Sequence, residues 1–394
     1  MKVLFVCSLF YPHVGGVETT IEELCKYYQK NGIEVTVLTK RFPHSLKEKE
    51  VYKGIPIYRL ISPKRYCEYL SAVNWLKENN SELRSDIIHV IGVRRPMPLF
   101  ALLLSRNWRV PFVATFSGGD ILNPNDPETT KLWREGKNIV PQSLLRSDWK
   151  VAFSKDIIKN VQKLIPKIGK IDLIYAGLDI AKIEASPRFN TKKPYLLSAR
   201  RLYYSKGVDI LIKAFSKIAK KYPNLNLYII GNGPEETNLK QLVEEFSLQK
   251  RVKFLGKLDL STTIYYLKGA LINICPSRSE GGGIINFEAH AASCLAVGSS
   301  VEGIKEYIRN EKTGLTFESG NENDLAKTLE KALDNVKLRN KLVKTAKQAI
   351  KKYDWCIIAN KYLQGYNKTK LNFANPDFIP WSYLSQNLWQ KMTK

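Results

Sequence analysis

The order strand, helix, strand at the start of the chain constrains the fold more than any other feature. Residues 3–7 form a short apolar run, and residues 17–30 place Ile21, Leu24, Cys25 and Tyr28 at helical spacing; Gly32 caps that helix, and residues 34–38 form a second apolar run. Two strands joined in this way pair in parallel through a right-handed crossover, because a twisted strand feeding a right-handed helix packs back onto the sheet only with that hand. Ligands of such sheets bind beyond the carboxyl ends of the strands, so the loop carrying Gly15 and Gly16 is a first candidate for a site. Met1-Lys2 ahead of the apolar residues 3–11 faintly resembles a secretion signal, but the glycine pair and the helical pattern behind it predict a first strand and its turn.

The pattern recurs. Apolar runs at 86–91, 110–116, 151–154 and 172–175 complete a first sheet. The run at 110–116 leads into Ser117-Gly118-Gly119-Asp120, a turn at the carboxyl end of a strand and a second candidate for the site. Residues 40–80 read as irregular and basic, with Lys64 and Arg65 beside Tyr66, Tyr69 and Trp75; this is either a surface helix with half-buried tyrosines or an aromatic-basic segment lying on a membrane. Polar residues 183–194, with Pro187 and Pro194, are expected to be a linker. A second series follows, with strands at 195–199, 225–230, 252–255, 271–275 and about 295–298 and helices at 208–221, 235–246 and 304–308. From 321 to about 366 the pattern is helical, and the tail at 373–389 is aromatic without a period. A chain of 394 residues exceeds one ordinary core. The expected organisation is an α/β domain at 1–182, the linker, a second α/β domain at 195–350, and a C-terminal helix and tail at 351–394 packing back on the first, with a cleft between the two sets of strand ends.

Composition narrows the partners. No run approaches the roughly 18 apolar residues of a membrane span. The six cysteines are scattered without C-x-x-C spacing and read as free buried thiols of a reducing compartment. A net charge of +25 points to an anionic partner such as a membrane surface or a phosphorylated substrate; with no nucleic-acid-binding motif in the chain, a nucleic acid is not expected. No D-x-D sequence occurs and His13, His44, His89 and His290 do not pair at ligand spacing, so no metal cofactor is expected. His290 reads as a packed side chain rather than a base.

Chemistry concentrates in two stretches. Pro276 ends the apolar run before it because proline has no N–H for a sheet ladder. Glu280, Gly281, Gly282 and Gly283 follow, then a helix from Ile284 that carries Glu288. Glycines let backbone approach a ligand, and a helix N-terminus attracts an anion, although the same residues also describe a plain glycine turn with two solvated glutamates. Arg201 and Lys206 precede the helix near Gly207, where cations oppose the helix dipole unless an anion binds between them. An arginine fork and a lysine point charge suit a diphosphate. Arg200 alternates with Arg201 and is expected on the other side of the strand. Gly231-Asn232-Gly233 lacks the third glycine of a dinucleotide fingerprint, since position 236 is Glu, and reads as a sharp strand-to-helix turn; an NAD-type oxidoreductase has only this feature behind it.

Taken in order, Gly15-Gly16-Val17-Glu18, Arg201 to Lys206 with Gly207-Val208-Asp209, Gly231 to Pro234, and Pro276 to Glu280 with Glu288-Ala289 resemble the motifs of the retaining family 4 glycosyltransferases with the GT-B fold, two Rossmann-like α/β domains facing each other. The resemblance covers about residues 2–366 and implies transfer of a hexose from a nucleotide-sugar donor to a glycan or lipid-linked acceptor, such as a surface-glycan precursor, with retention of configuration. It implies that the N-terminal domain lies on the acceptor side and that Arg201 and Lys206 hold the donor diphosphate. Glu288 would accept hydrogen bonds from the ribose, Glu280 and Gly281 to Gly283 would hold the sugar, and Gly16 would approach the phosphates. Gly15 and Gly231 are counted with the donor-binding residues, and Ser117 with the catalytic ones. Ser117 stands where the family usually has histidine, Gly282 where an aromatic is common, Ser293 and Leu295 where glycine and proline are usual, and Glu302 where glycine is usual. The change at Ser117 leaves a second reading open, a non-catalytic nucleotide-sugar or membrane-binding partner of a glycan-assembly system. The expected location is the cytoplasm, at the inner face of the membrane.

Overall fold

The computed structural model describes residues 1–61, 66–118, 139–280, 283–374 and 378–381. Contacts divide the chain into two units, Met1–Gly177 with Trp355–Lys394, and Leu178–Asp354.

In the first unit, strands β1 (Lys2–Val6), β2 (Glu34–Lys40), β3 (Lys49–Tyr52), β4 (Ile55–Leu60), β5 (Ile87–Ile91), β6 (Phe112–Phe116), β7 (Trp149–Ala152) and β8 (Asp172–Leu173) form one sheet in the order β3-β4-β2-β1-β5-β6-β7-β8. Every pairing is parallel except that of β3 with β4. The strands read as unbroken apolar runs because both faces are covered: Leu4, Val6, Ile88 and Val90 enter one core, Val3, Phe5, Ile87 and Ile91 the other. The β3–β4 hairpin falls in the stretch expected to be irregular. Its pattern is hidden because β3 is an edge strand with Val51 68% exposed, and because β4 turns an arginine inward. Arg59 is buried, pairs with Glu50 at 2.7 Å and donates to the carbonyls of Lys47 and Tyr11. The helix Tyr66–Glu78 buries Tyr69, Ala72, Val73 and Leu76, so it is a packed helix of this unit; Lys64 and Arg65 lie outside the described residues.

The helix Trp355–Leu371 also belongs to this unit and is fixed to the sheet by polar and aromatic contacts. His89 of β5 meets the Tyr366 hydroxyl through Nδ1 at 2.5 Å and the Thr115 hydroxyl through Nε2 at 2.7 Å. Burial pushes the His89 pKa down to about 3, so the ring is neutral and both its nitrogens are satisfied. A Cβ on Gly365 would lie 2.0 Å from the Trp149 ring, which explains a glycine inside a helix. Cys356, at the start of this helix, is exposed, in contrast to the buried Cys7, Cys25, Cys275 and Cys294.

The second unit starts at Leu178, ahead of the expected linker. Residues 183–194 are not a separate connector: the helix Ile180–Ala185 buries Ile183, and the Phe189 ring packs against Tyr195 and Tyr266 at 5.8 and 4.6 Å. Polar composition misled here because Phe189 is the one aromatic anchor in a run of charged and small residues. Strands β9 (Tyr195–Ala199), β10 (Asn226–Ile230), β11 (Val252–Phe254), β12 (Ile272–Cys275), β13 (Leu295–Ser299) and β14 (Leu315–Phe317) form an all-parallel sheet in the order β11-β10-β9-β12-β13-β14. The chain runs outward from β9 in one direction and from β12 in the other. The strand order therefore reverses between these two, and their carboxyl ends open a crevice. The ladder between them covers only Ile272 and Asn273; beyond it the Ser198 hydroxyl donates to the Ile274 carbonyl at 3.0 Å in place of a main-chain bond.

Candidate functional site

At that crevice the residues following β9 and β12 meet. Arg200 and Arg201 come directly after β9, and Lys206 lies on the short 3₁₀ turn Tyr204–Lys206 ahead of the helix Val208–Ala219. Pro276 to Glu280 follow β12, and Gly283 caps the helix Ile284–Ala291 that carries Glu288. Gly281 and Gly282 lie outside the described residues.

Glu280 is the centre of a buried ionic cluster. Lys206 Nζ lies 2.9 Å from Oε1; Arg200 Nη2 and the Ser277 hydroxyl donate to Oε2 at 2.7 and 2.9 Å. Burial pushes the Glu280 pKa up, but the Lys206 and Arg200 charges outweigh it and hold the carboxyl below its usual value. Glu280 is therefore an ionised carboxylate with all its neighbours cationic or donating. Arg200, expected on the far side of the strand, is the arginine turned inward, while Arg201 is exposed with its guanidinium 5.2 Å from the Tyr203 ring centre and no ion pair among the described residues. Strand alternation does separate the two; which of them meets Glu280 depends on how the strand end is rotated in the sheet.

The loops that carry these groups are braced against each other. Arg278 makes a two-point contact with Asp209 at 2.7 and 2.6 Å, lies 4.0 Å from the Tyr204 ring centre, and its N–H donates to the Ser205 carbonyl at 2.9 Å. The 3₁₀ turn bearing Lys206 is thereby tied to the loop bearing Glu280. Gly231, with φ 133°, sits so close to the first loop that a Cβ would lie 1.9 Å from the Arg200 carbonyl oxygen. The Gly231-Asn232-Gly233 turn is thus a support for the Arg200 to Leu202 segment, whose Leu202 N–H donates to the Asn232 carbonyl at 2.8 Å. Gly303 plays the same part behind Glu280, where a Cβ would meet its carbonyl oxygen at 1.7 Å.

Glu288 differs in kind. It is buried and no side chain or N–H among the described residues bonds its carboxylate; burial alone pushes its pKa up to about 7. A carboxyl largely withdrawn from water and with no protein partner among the described residues is open to hydrogen bonds from ligand hydroxyls. His290, two residues on, donates through Nε2 to the Tyr307 carbonyl (3.1 Å), and burial holds its pKa at about 4. It is a packed, neutral side chain.

Gly15, Gly16 and Ser117 lie in the first unit. Gly15 caps the helix Gly16–Lys30 at the carboxyl end of β1, and Ser117 is buried directly after β6. Arg200, Ser277 and Arg278 were absent from the site expected from sequence. The signal for the first was present as two consecutive arginines at a strand end; no local pattern marks the other two.

The second α/β unit gathers cations, a locked carboxylate and a carboxyl without a protein partner among the described residues on the segments that follow β9 and β12. Two family models match consecutive stretches, Glycosyltransferase Family 4 over residues 14–182 and Glycosyl transferases group 1 over residues 179–349. The N-acetyl-alpha-D-glucosaminyl L-malate synthase of Bacillus anthracis is 26% identical over 366 residues, covering 89% of this chain and 92% of that protein. The phosphatidyl-myo-inositol mannosyltransferase of Mycobacterium leprae is 24% identical, over 93% of this chain and 96% of that one. Among solved structures, HepE of Anabaena in complex with UDP matches with a TM-score of 0.73 at 18% identity, covering 93% of this chain and all of that one. The chain belongs to the family 4 glycosyltransferases, enzymes with the GT-B fold.

Proposed function

We propose that the protein transfers a hexose from a nucleotide sugar to a glycan or lipid-linked hydroxyl, with retention of configuration and without a metal ion. The observation that carries the donor half is that two cations follow β9 in the same unit as Glu288: Arg201, exposed and without an ion pair among the described residues, and Lys206, held on Glu280. Arg201 and Lys206 hold the diphosphate, and the ribose hydroxyls donate to Glu288. As the bond from the anomeric carbon to the diphosphate oxygen breaks, its electron pair goes to that oxygen. The growing charge is stabilised by cations already in place. Glu280 is bound by three donors and does not serve as a nucleophile or base. The departing diphosphate oxygen takes the acceptor hydroxyl proton as the new bond forms at the anomeric carbon. Ser117, in the first unit, has a hydroxyl where the family usually has an imidazole; it can donate a hydrogen bond but carries no charge. A uridine donor is favoured by the likeness to the UDP complex of HepE.

A lipid-linked acceptor is favoured by the relative named for phosphatidyl-myo-inositol and by a patch on the first unit. Val14, Phe42 and Ile61 are 92%, 56% and 56% exposed, and the His13 ring stacks on Phe42 at 6.1 Å. All lie just beyond the carboxyl ends of β1, β2 and β4, and the Arg41 N–H donates to the Leu60 carbonyl at 2.7 Å, tying two of these segments together. With a net charge of +25 such a face suits an anionic membrane at the cytoplasmic side. Among the described residues no helix is long and apolar enough to cross a membrane.

The test is transfer of label from uridine, guanosine and adenosine nucleotide sugars to membrane lipid extract and to soluble sugars, with and without EDTA. Transfer that survives EDTA is expected; no transfer from any donor would refute the reading. Sedimentation with anionic vesicles is expected to exceed that with neutral ones, and equal binding would remove the membrane arm.

A further inference from the structure

Two cations share one carboxylate at Glu280, and they are held very differently. The Arg200 side chain is 5% exposed, with Nη2 on Glu280 at 2.7 Å and Nη1 donating to the Cys275 sulfur at 2.8 Å. Its main chain is fixed on both sides: the N–H donates to the Ile230 carbonyl at 2.8 Å, and the carbonyl is packed against Gly231. Lys206 sits on a 3₁₀ turn at the end of a flexible stem, is more exposed at 15%, and has Glu280 as its one ionic partner among the described residues.

We infer that Arg200 is a positioning residue of the donor site: it keeps Glu280 paired so that Lys206 can pass from Glu280 to the donor diphosphate. The inference rests on the donor site proposed above. Its physical basis is charge balance. With Arg200 present, Glu280 keeps a buried counterion and the Ser277 hydrogen bond after Lys206 leaves. Without Arg200, Lys206 is the carboxylate's sole cation, and moving it would strand a buried anion beside an incoming one, a cost that holds Lys206 back. Glu280 is in this sense an internal competitor of the diphosphate, and Arg200 weakens that competition. Among the described residues the charged groups facing Glu280 are Arg200 after β9 and Lys206 on the 3₁₀ turn; Ser277 faces it from its own loop, and the main chain at Gly303 backs it.

The test is calorimetric binding of UDP, GDP and ADP to the full chain and to Arg200→Met, Arg200→Lys, Glu280→Gln and the double variant Arg200→Met/Glu280→Gln. Arg200→Met is expected to lose about ten- to a hundredfold in affinity for the diphosphate that the wild type binds, the range of one charge-assisted hydrogen bond. Arg200→Lys should keep most of the affinity. Glu280→Gln should bind at least as tightly as wild type while losing transfer, and the double variant should recover to within about threefold of wild type, because the competitor has gone. A purely structural role for Arg200 gives no recovery in the double variant, and that result, or a tenfold loss in Glu280→Gln alone, would overturn the inference and leave the donor site standing. Should Arg200→Met not fold, the Glu280→Gln and Arg200→Lys measurements decide alone. If the wild type binds none of the three nucleotides, the donor-site reading itself falls, and the inference with it.

Discussion

Replacing Glu288 by glutamine tests the least stable element of the site against its use. In the folded chain burial carries this carboxyl from 4.5 to about 7. Between those values the folded protein holds a proton that the unfolded chain has released. Stability from this group is therefore fully present below about pH 4.5, falls as pH rises, and is lost above about pH 7. The full difference is about 3 kcal/mol at roughly 1.4 kcal/mol for each tenfold change. Glutamine does not titrate, and the constant cost of seating an amide cancels when two pH values are compared. Between pH 5 and pH 8 the melt of Glu288→Gln should therefore rise relative to that of wild type by up to about 3 kcal/mol, or roughly 6–12 °C for a unit of this size. Ligand reverses the preference, since ribose hydroxyls donate to the ionised carboxylate. Nucleoside diphosphate affinity of the wild type should therefore rise from pH 6 to pH 8 with release of a proton, while that of the variant stays flat and low. A gap between the melts that does not change with pH would mean that Glu288 is ionised and partnered in the free protein, and would refute the reasoning.

Other expectations follow from single positions. Ser293 occupies the left-handed region at φ 59° just after the helix Ile284–Ala291, so Ser293→Gly should stabilise by about 0.5–1 kcal/mol in denaturant melts, leaving nucleotide affinity unchanged. Gly303→Ala should cost about 2–3 kcal/mol and weaken nucleotide binding, because its Cβ would be driven into the Glu280 carbonyl. Tyr366→Phe leaves a buried His89 nitrogen without its partner and should cost about 1–3 kcal/mol in thermal melts without altering nucleotide affinity. Ser117→His should raise the turnover of sugar transfer if the hydroxyl limits it; unchanged or lower turnover would show that this site works with serine.

The alternation of apolar runs and amphipathic segments determined two sheets that are parallel apart from the β3–β4 hairpin, since a strand buried on both faces must be apolar throughout and a crossover helix must carry one apolar stripe. Local chemistry was also enough to single out Lys206, Glu280 and Glu288, which the structure carries on the segments following β9 and β12, because a strand end followed by glycine and a helix is a local signal. What lies far apart in the chain was decided only by the tertiary structure. Arg200 and Glu280 are joined across 80 residues, and His89 and Tyr366 across 277, and no periodicity encodes either pairing. The hairpin at Arg59 was hidden because an inward arginine breaks the apolar pattern until Glu50 and two carbonyls are seen around it. Which of two adjacent arginines meets Glu280 was set by the rotation of one strand end. The same holds for the Glu280 carboxylate: its identity is written in the sequence, but its charge state and its three donors exist only because two loops from neighbouring strands are folded against each other.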